Sequence, residues 1–306
     1  MLYQEYRPKT LSEFQGNKGL KASLESILKE EKIPHSFLFH GPSGCGKTTL
    51  AYIIATKLTC SSMDLHEINA ANNRGIETAR ELIKTLDLQP MMGDTKVILL
   101  DEVHATTKDF QNALLKSLED TPSHVYFILC TTNPEKLLKT VRNRCTTFEV
   151  KALGEDDLYS VITDVLTQEN IEEEFFPDDA IEAIIKASEG CPRQALVMVE
   201  QIKGLNPKQM KESVEKFASY ESSIIDLCRA MTKRQNWKGI STILQGLDAE
   251  PETIRRSILG YFNKVLLSSG SPVHASIMDV FSKHTYDSGR AGLTLMCFMS
   301  TFIDKK

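Results

Sequence analysis

The chain has 306 residues, of which 41% are hydrophobic and 25% charged, and its formal net charge at pH 7 is −5. That length buries a substantial core and suits two or three domains, while the acidic balance excludes indiscriminate adhesion to nucleic acid and leaves such contact to a local basic patch. No apolar run approaches bilayer-spanning length, and Met1 to Glu5 lacks the basic-then-apolar plan of a secretory leader, so an intracellular chain, cytoplasmic or nuclear and without a membrane partner, is expected.

Short apolar runs alternate with amphipathic stretches through the first half, the pattern of a parallel sheet covered by helices. Strands are expected near Ser36–His40, Leu65–Asn69, Lys96–Asp101, Val125–Cys130 and Thr146–Val150, with helices near Thr48–Leu58, Ile76–Leu86, Lys108–Glu119 and Pro134–Thr140 between them. From Leu153 helical periodicity takes over, with helices expected over Glu155–Gln168, Asp178–Ser188 and Arg193–Ile202. Gly204-Leu205-Asn206-Pro207 reads as a linker. Beyond it, Ile254, Ile258, Phe262, Val265 and Leu266 keep one helix face apolar, and Leu295, Met296, Met299 and Phe302 do the same near the C-terminus. Such stripes are usually core, and periodicity leaves an added subunit-contact role open. Seven cysteines are scattered from Cys45 to Cys297 without a Cys-x-x-Cys pair, which supports neither a disulfide framework nor structural zinc and predicts small buried side chains.

The chemistry concentrates at the ends of the predicted strands. Gly41-Pro42-Ser43-Gly44-Cys45-Gly46-Lys47-Thr48 lies between an apolar run and an apolar helix, the context of a loop that cradles phosphates. Its glycines let backbone N–H groups converge, the helix directs its positive dipole end at the anion, and Lys47 adds a full charge. The expected nucleotide-binding set runs from Gly41 through Thr49, with Thr48 on a magnesium ion. Lys96 to Leu100 is an apolar strand ending in Asp101, for the magnesium ion, and Glu102, for orienting or deprotonating the attacking water. The run from Val125 to Cys130 ends in Thr131, Thr132 and Asn133; Thr132 is the first candidate to sense the γ-phosphate and Asn133 the second, while the same spacing suits a capped turn before Pro134. Arg144, before the last strand, and Arg193, opening a later helix, are further candidates, although an isolated arginine is usually a surface residue.

The order of these pieces resembles the clamp-loader branch of the AAA+ ATPases, especially the small subunits of replication factor C and the bacterial gamma/tau subunit. The resemblance rests on Glu5-Tyr6-Arg7-Pro8 with Phe14, His35 through Thr48, Asn73-Arg74-Gly75-Ile76 with Arg80, Asp101-Glu102-Val103-His104, Asn112 through Glu119, and Arg144-Cys145. It implies a P-loop α/β domain over residues 1–152 with a parallel five-stranded sheet, a helical lid over 153–204 and an all-helical collar over 205–306. By that resemblance the nucleotide is ATP, Tyr6, Arg7 and Pro8 lie near the adenine, Arg193 touches the γ-phosphate of its own subunit, and Arg144 reaches the site of the adjacent one. An arginine supplied from a neighbour is worth on the order of 10³–10⁵ in rate. The expected partners are a sliding clamp, primer-template DNA and other loader subunits, in a pentameric assembly holding several copies of this chain. Asn143 stands where the family usually has serine, and Cys60 stands alone where bacterial gamma/tau subunits carry a zinc module, so no zinc is expected.

Arg80 and Lys84 are four residues apart and share a helix face, with Arg74 just before the helix. Spacing alone favours a solvated face paired with Glu77 and Glu81; the resemblance turns it toward the DNA backbone, in contacts that read charge and shape rather than bases. Three other readings share the phosphate loop: a branch-migration or helicase-loading motor, a small-molecule kinase, and a nucleotide-responsive scaffold.

Overall fold

The computed structural model describes residues 1–70, 72–171, 175–205, 207–286 and 288–303. These residues divide into two compact units, Met1–Met210 and Lys211–Lys306.

The first unit opens with two helices that periodicity did not reveal, α1 (Leu2–Glu5) and α2 (Lys18–Ile27). A parallel sheet follows, ordered β2-β3-β4-β1-β5, from β1 (Ser36–His40), β2 (Cys60–Asn69), β3 (Thr95–Asp101), β4 (Val125–Thr131) and β5 (Thr146–Glu149). Its central strands are unbroken apolar runs because helices cover both faces. Alternation along each strand then sorts the side chains. Phe37, Phe39, Leu99 and Ile128 join one core with Leu50, Ile53 and Ile54 of α3 (Lys47–Lys57). Leu38, Ile98, Leu100 and Leu129 join the other with Leu82 of α4 (Ile76–Leu86) and Phe110 and Leu114 of α5 (Lys108–Glu119). Thr107 begins α5 by accepting a hydrogen bond from the Phe110 N–H with its side chain.

Two expected boundaries are corrected. β2 starts at Cys60 rather than Leu65, because Cys60 pairs with Thr95 and an irregularity then separates it from the regular register that begins at Leu65. The helix expected over Pro134–Thr140 is instead a 3₁₀ turn, Pro134–Lys136, and a short α6 (Lys139–Arg142). Leu137 and Leu138 between them have ψ of 143° and 136°, and the Leu138 N–H donates to the buried Gln111 side chain instead of to a helical carbonyl.

Residues 155–202 form α7 (Glu155–Gln168), α8 (Asp178–Ser188) and α9 (Pro192–Ile202), packed through Ile162, Val165, Ile184, Ile185, Leu196 and Val199. The expected linker Gly204–Pro207 includes Asn206, which lies outside the described residues.

The helix α10 (Pro207–Thr232) leads into the second unit, which holds α11 (Trp237–Gly246), α12 (Pro251–Ser269), α13 (Pro272–Val280) and α14 (Gly289–Met299). Its core includes Leu227, Ile240, Ile254, Ile258, Phe262, Phe281, Leu293 and Cys297. The C-terminal stripe differs from expectation: Met296 packs partly against the core, but Leu295, Met299 and Phe302 are exposed. Leu293 and Cys297, four apart, make the inward stripe, and Leu295 lies about 200° round the helix from Leu293. Beneath this core the Arg255 guanidinium pairs with Glu252 at 2.6 Å and donates to the Phe281 carbonyl, and both charged side chains are nearly buried. No described helix is long and apolar enough to cross a membrane.

Candidate active site

The strand order places the C-terminal end of β4 between those of β1 and β3, and in parallel sheets that edge is where ligands bind. The loop after β1 starts at Gly41, whose N–H donates to Thr131 at 3.2 Å. Its φ of +148° and a would-be Cβ only 2.0 Å from the Val150 carbonyl oxygen leave no room for another residue. The loop delivers Lys47 and Thr48 at the start of α3, where unsatisfied backbone N–H groups favour an anion.

Lys47 is buried, and its ammonium donates to the carbonyls of Gly41 and Pro42 at 2.9 and 2.8 Å. Among the described residues no carboxylate pairs with it. A buried full charge held only by neutral carbonyls is suited to a multiply charged anion. Thr48 donates its hydroxyl to Asp101 Oδ2 at 2.9 Å, so a hydroxyl and a carboxylate oxygen lie together beside the loop, the donor type that magnesium prefers. The other Asp101 oxygen accepts the Glu102 N–H at 2.9 Å.

Glu102 has left-handed backbone, φ 51° and ψ 40°, and begins a 3₁₀ turn over Val103–Ala105. That conformation is unusual for a residue with a side chain and sends the carboxylate away from the direction the strand would give it. Thr132 donates to Glu102 Oε2 at 3.3 Å, which joins the end of β4 to the end of β3. The Asn133 N–H donates instead to Thr131 Oγ1 at 3.0 Å.

A cleft of about 540 Å³ opens here, lined by Ser43 through Thr49, Asp101 and Glu102 together with Tyr6, Arg7, Pro8 and Arg193. Gly41, Pro42, Thr132 and Asn133 adjoin it through the bonds just described. The far wall comes from α7 and α9: Cys191 Sγ donates to the Ser43 carbonyl, and a Cβ on Gly44 would meet that sulfur at 2.4 Å. Arg193 is exposed with its guanidinium 5.4 Å from the Tyr3 ring centre, and Arg7 stands 5.0 Å from that of Tyr52. Tyr6 donates to Glu169 at 2.5 Å; that bond, with burial and the nearby negative charge, pushes its hydroxyl up to about 12 and keeps it a donor. Burial first, then Cys191, pushes the Cys45 thiol up to about 11, which suits packing rather than reactivity.

Two groups of expected residues lie elsewhere. Arg144 pairs with Glu119 at 2.7 Å and donates to the Thr140 carbonyl, and it is not among the residues lining the cleft. Arg74, Arg80 and Lys84 are exposed on and before α4, with Arg80 3.3 Å from Glu77, and Ala79, Leu82 and Leu86 face the core.

His104, Tyr3, Tyr52, Glu169 and Cys191 have no assigned role in the sequence reading. His104 Nδ1 lies 3.2 Å from Glu102 Oε2 and 3.0 Å from Thr131 Oγ1. Its only sequence signal is its place in Asp101-Glu102-Val103-His104. Tyr3, Tyr52 and Cys191 stand within a few residues of Tyr6, Thr48 and Arg193 without a chemical signature of their own, and Glu169 comes from the end of α7.

Residues 61–154 match the family model described as DNA polymerase III, delta subunit. The chain is 34% identical over 235 residues to DNA polymerase III subunit tau/gamma of Haemophilus influenzae, an alignment covering 70% of this chain and 34% of that protein. It is 28% identical over 299 residues to subunit tau of Bacillus subtilis, covering 89% of this chain and 52% of that one. Over these aligned stretches the chain shares homology with the gamma/tau clamp-loader subunits. It spans about a third to a half of the length of these relatives. Its fold also matches a solved RuvB structure from Thermotoga maritima, with TM-score 0.58 and 25% identity over 69% of this chain and 72% of the other. A second Thermotoga maritima RuvB structure, described as a Holliday junction branch migration motor, has TM-score 0.54 and 22% identity over 87% and 85% of the two chains.

Proposed function

We propose that this chain is an ATP-hydrolysing subunit of a sliding-clamp loader, acting at primer-template DNA during replication inside the cell. The observation that carries the reading is the meeting of three strand ends at one phosphate cradle: Lys47 and Thr48 after β1, Asp101 and Glu102 after β3, and Thr132 after β4.

In this reading the loop N–H groups from Gly41 to Thr49 and the Lys47 ammonium bind the phosphates, and Tyr6, Arg7 and Pro8 border the adenine. Thr48 and Asp101 hold magnesium, which neutralises charge on the phosphates when bound. Glu102 accepts the proton of the attacking water, with Thr132 fixing its direction. Arg193, on α9, moves from Tyr3 to the γ-phosphate as residues 153–204 close as a lid. Arg144 leaves Glu119 to serve the neighbouring protomer, so hydrolysis depends on assembly, and residues 205–306 form the collar that holds the ring. Arg74, Arg80 and Lys84 follow the DNA backbone without reading bases. ATP favours the form that grips the clamp, and hydrolysis removes that preference. The assembly is a pentamer with several copies of this chain.

The test is ATP consumption with a candidate ring clamp and primed DNA, added separately and together. Stimulation by the pair beyond either alone is expected. The RuvB-like fold favours one other reading, a branch-migration motor; strand displacement without any clamp would replace the loader by it.

A further inference from the structure

We infer that His104 is a positioning residue that aims the Glu102 carboxylate, working through a proton on Nδ1. The inference deepens the proposed hydrolytic site and rests on Glu102 acting as its base.

Three observations point to it. Glu102 Oε2 accepts a hydrogen bond from Thr132 at 3.3 Å and lies 3.2 Å from His104 Nδ1, whereas among the described residues Oε1 has neither a hydrogen-bond nor an ion-pair partner. One oxygen is therefore anchored and the other left to receive a proton. The Glu102 backbone is also pinned on both sides, by its N–H on Asp101 Oδ1 at 2.9 Å and its carbonyl on the Ala105 N–H at 2.8 Å. With the main chain fixed, the carboxylate can swing only about its side-chain torsions, and the ring restrains that swing. Finally, the same Nδ1 lies 3.0 Å from Thr131 Oγ1, on a fully buried residue whose hydroxyl oxygen also accepts the Asn133 N–H. His104 thus ties the carboxylate to the end of β4, the strand that separates β1 from β3.

The geometry also selects the tautomer. An ionised carboxylate only accepts hydrogen bonds, so a ring nitrogen facing it must carry hydrogen; an Nε2–H ring would set a lone pair against Oε2. Nδ1 is hydrogen-bonded to Thr131 Oγ1 at 3.0 Å and stands at ion-pair distance, 3.2 Å, from Glu102 Oε2, so a hydrogen on Nδ1 faces both oxygens.

Three substitutions separate aim from packing. An asparagine side chain brings its amide nitrogen close to where Nδ1 stands, a glutamine amide reaches the Nε2 position, and alanine supplies neither. In the assembled state with clamp, primed DNA and Mg-ATP, His104→Ala and His104→Gln should lower kcat about 10- to 100-fold, the scale of a misdirected catalytic group, with nucleotide affinity unchanged. His104→Asn should return kcat to within about threefold of the parent. Equal loss in all three variants, or weakened nucleotide binding, would reduce His104 to a packing residue. Glu102→Gln, measured alongside, keeps the two levels apart: retained turnover there removes the base itself, whereas its loss with an unaffected His104→Ala removes only the positioning role. Imidazole nitrogen shifts of the unsubstituted protein give an answer independent of turnover. An Nδ1–H signal that changes in Glu102→Ala is expected, and a neutral Nε2–H ring would overturn the inference.

Discussion

The cradle at the end of the sheet and the outer surface bearing Arg144 and α4 treat charge in opposite ways. Lys47, Asp101 and Glu102 are fastened to backbone groups and to one another within the fold. Arg144, no more exposed at 30% than Glu102 at 32%, and Arg80, at 62%, are instead held by carboxylates in the open, Glu119 and Glu77, at 62% and 72%. Exposed pairs of this kind contribute roughly 0–1 kcal/mol, so a phosphate or another subunit displaces them at little cost. On the proposed reading, groups for the chain's own chemistry are thus preorganised, and groups for partners are kept exchangeable.

The strongest challenge to this contrast is Arg144→Ala. Turnover in the assembled state should fall by about 10³–10⁵, the worth of an arginine finger, with the unfolding midpoint nearly unchanged. An equal loss in a strictly monomeric preparation would show that the residue serves its own site. On the preorganised side, Glu102→Gln should lower single-turnover hydrolysis by about 10²–10⁴ while leaving nucleotide affinity intact.

The nearly buried Glu252–Arg255 pair of the second unit provides a third case. Removing one partner by Glu252→Ala should cost about 3–5 kcal/mol in denaturant titration, far more than Glu119→Ala. The Arg255 guanidinium, aided by donors on Thr285 and opposed by burial, holds the Glu252 carboxyl down at about 2. Because the folded value lies below the unfolded one, the contribution is complete above the ordinary glutamate range and disappears as pH falls toward about 2. The acid-unfolding profile of Glu252→Gln should therefore be flatter across that window. The smallest effects belong to α4, where Arg80→Ala and Lys84→Ala should each reduce the salt slope of DNA binding by about one and change stability by less than about 0.5 kcal/mol. An unchanged slope would return those cations to a merely solvated face.

Much of this was legible in residue order. The apolar runs at Phe37, Val97 and Ile128 announced central strands because a strand covered on both faces has no polar side to show. The Gly41–Thr48 spacing announced the cradle because its conformation needs glycine at fixed steps. Other features were hidden for identifiable reasons. The break at Leu137 and Leu138 depends on Gln111, 27 residues away, accepting the Leu138 N–H. The polar start of β2 carries no apolar signature, and α14 turns Leu293 and Cys297 inward by packing, so its apolar periodicity alone misassigned Leu295.

The sequence by itself determined the strand-and-helix alternation, the phosphate loop and the pair of carboxylates, since each depends on neighbours a few positions apart. Only the tertiary structure decided that Glu102 leaves its strand in a left-handed turn, that Thr132 and His104 share one of its oxygens, and that Arg144 faces Glu119. Those relations join residues on different elements, and their distances are set by how the strands order and pack rather than by any local preference.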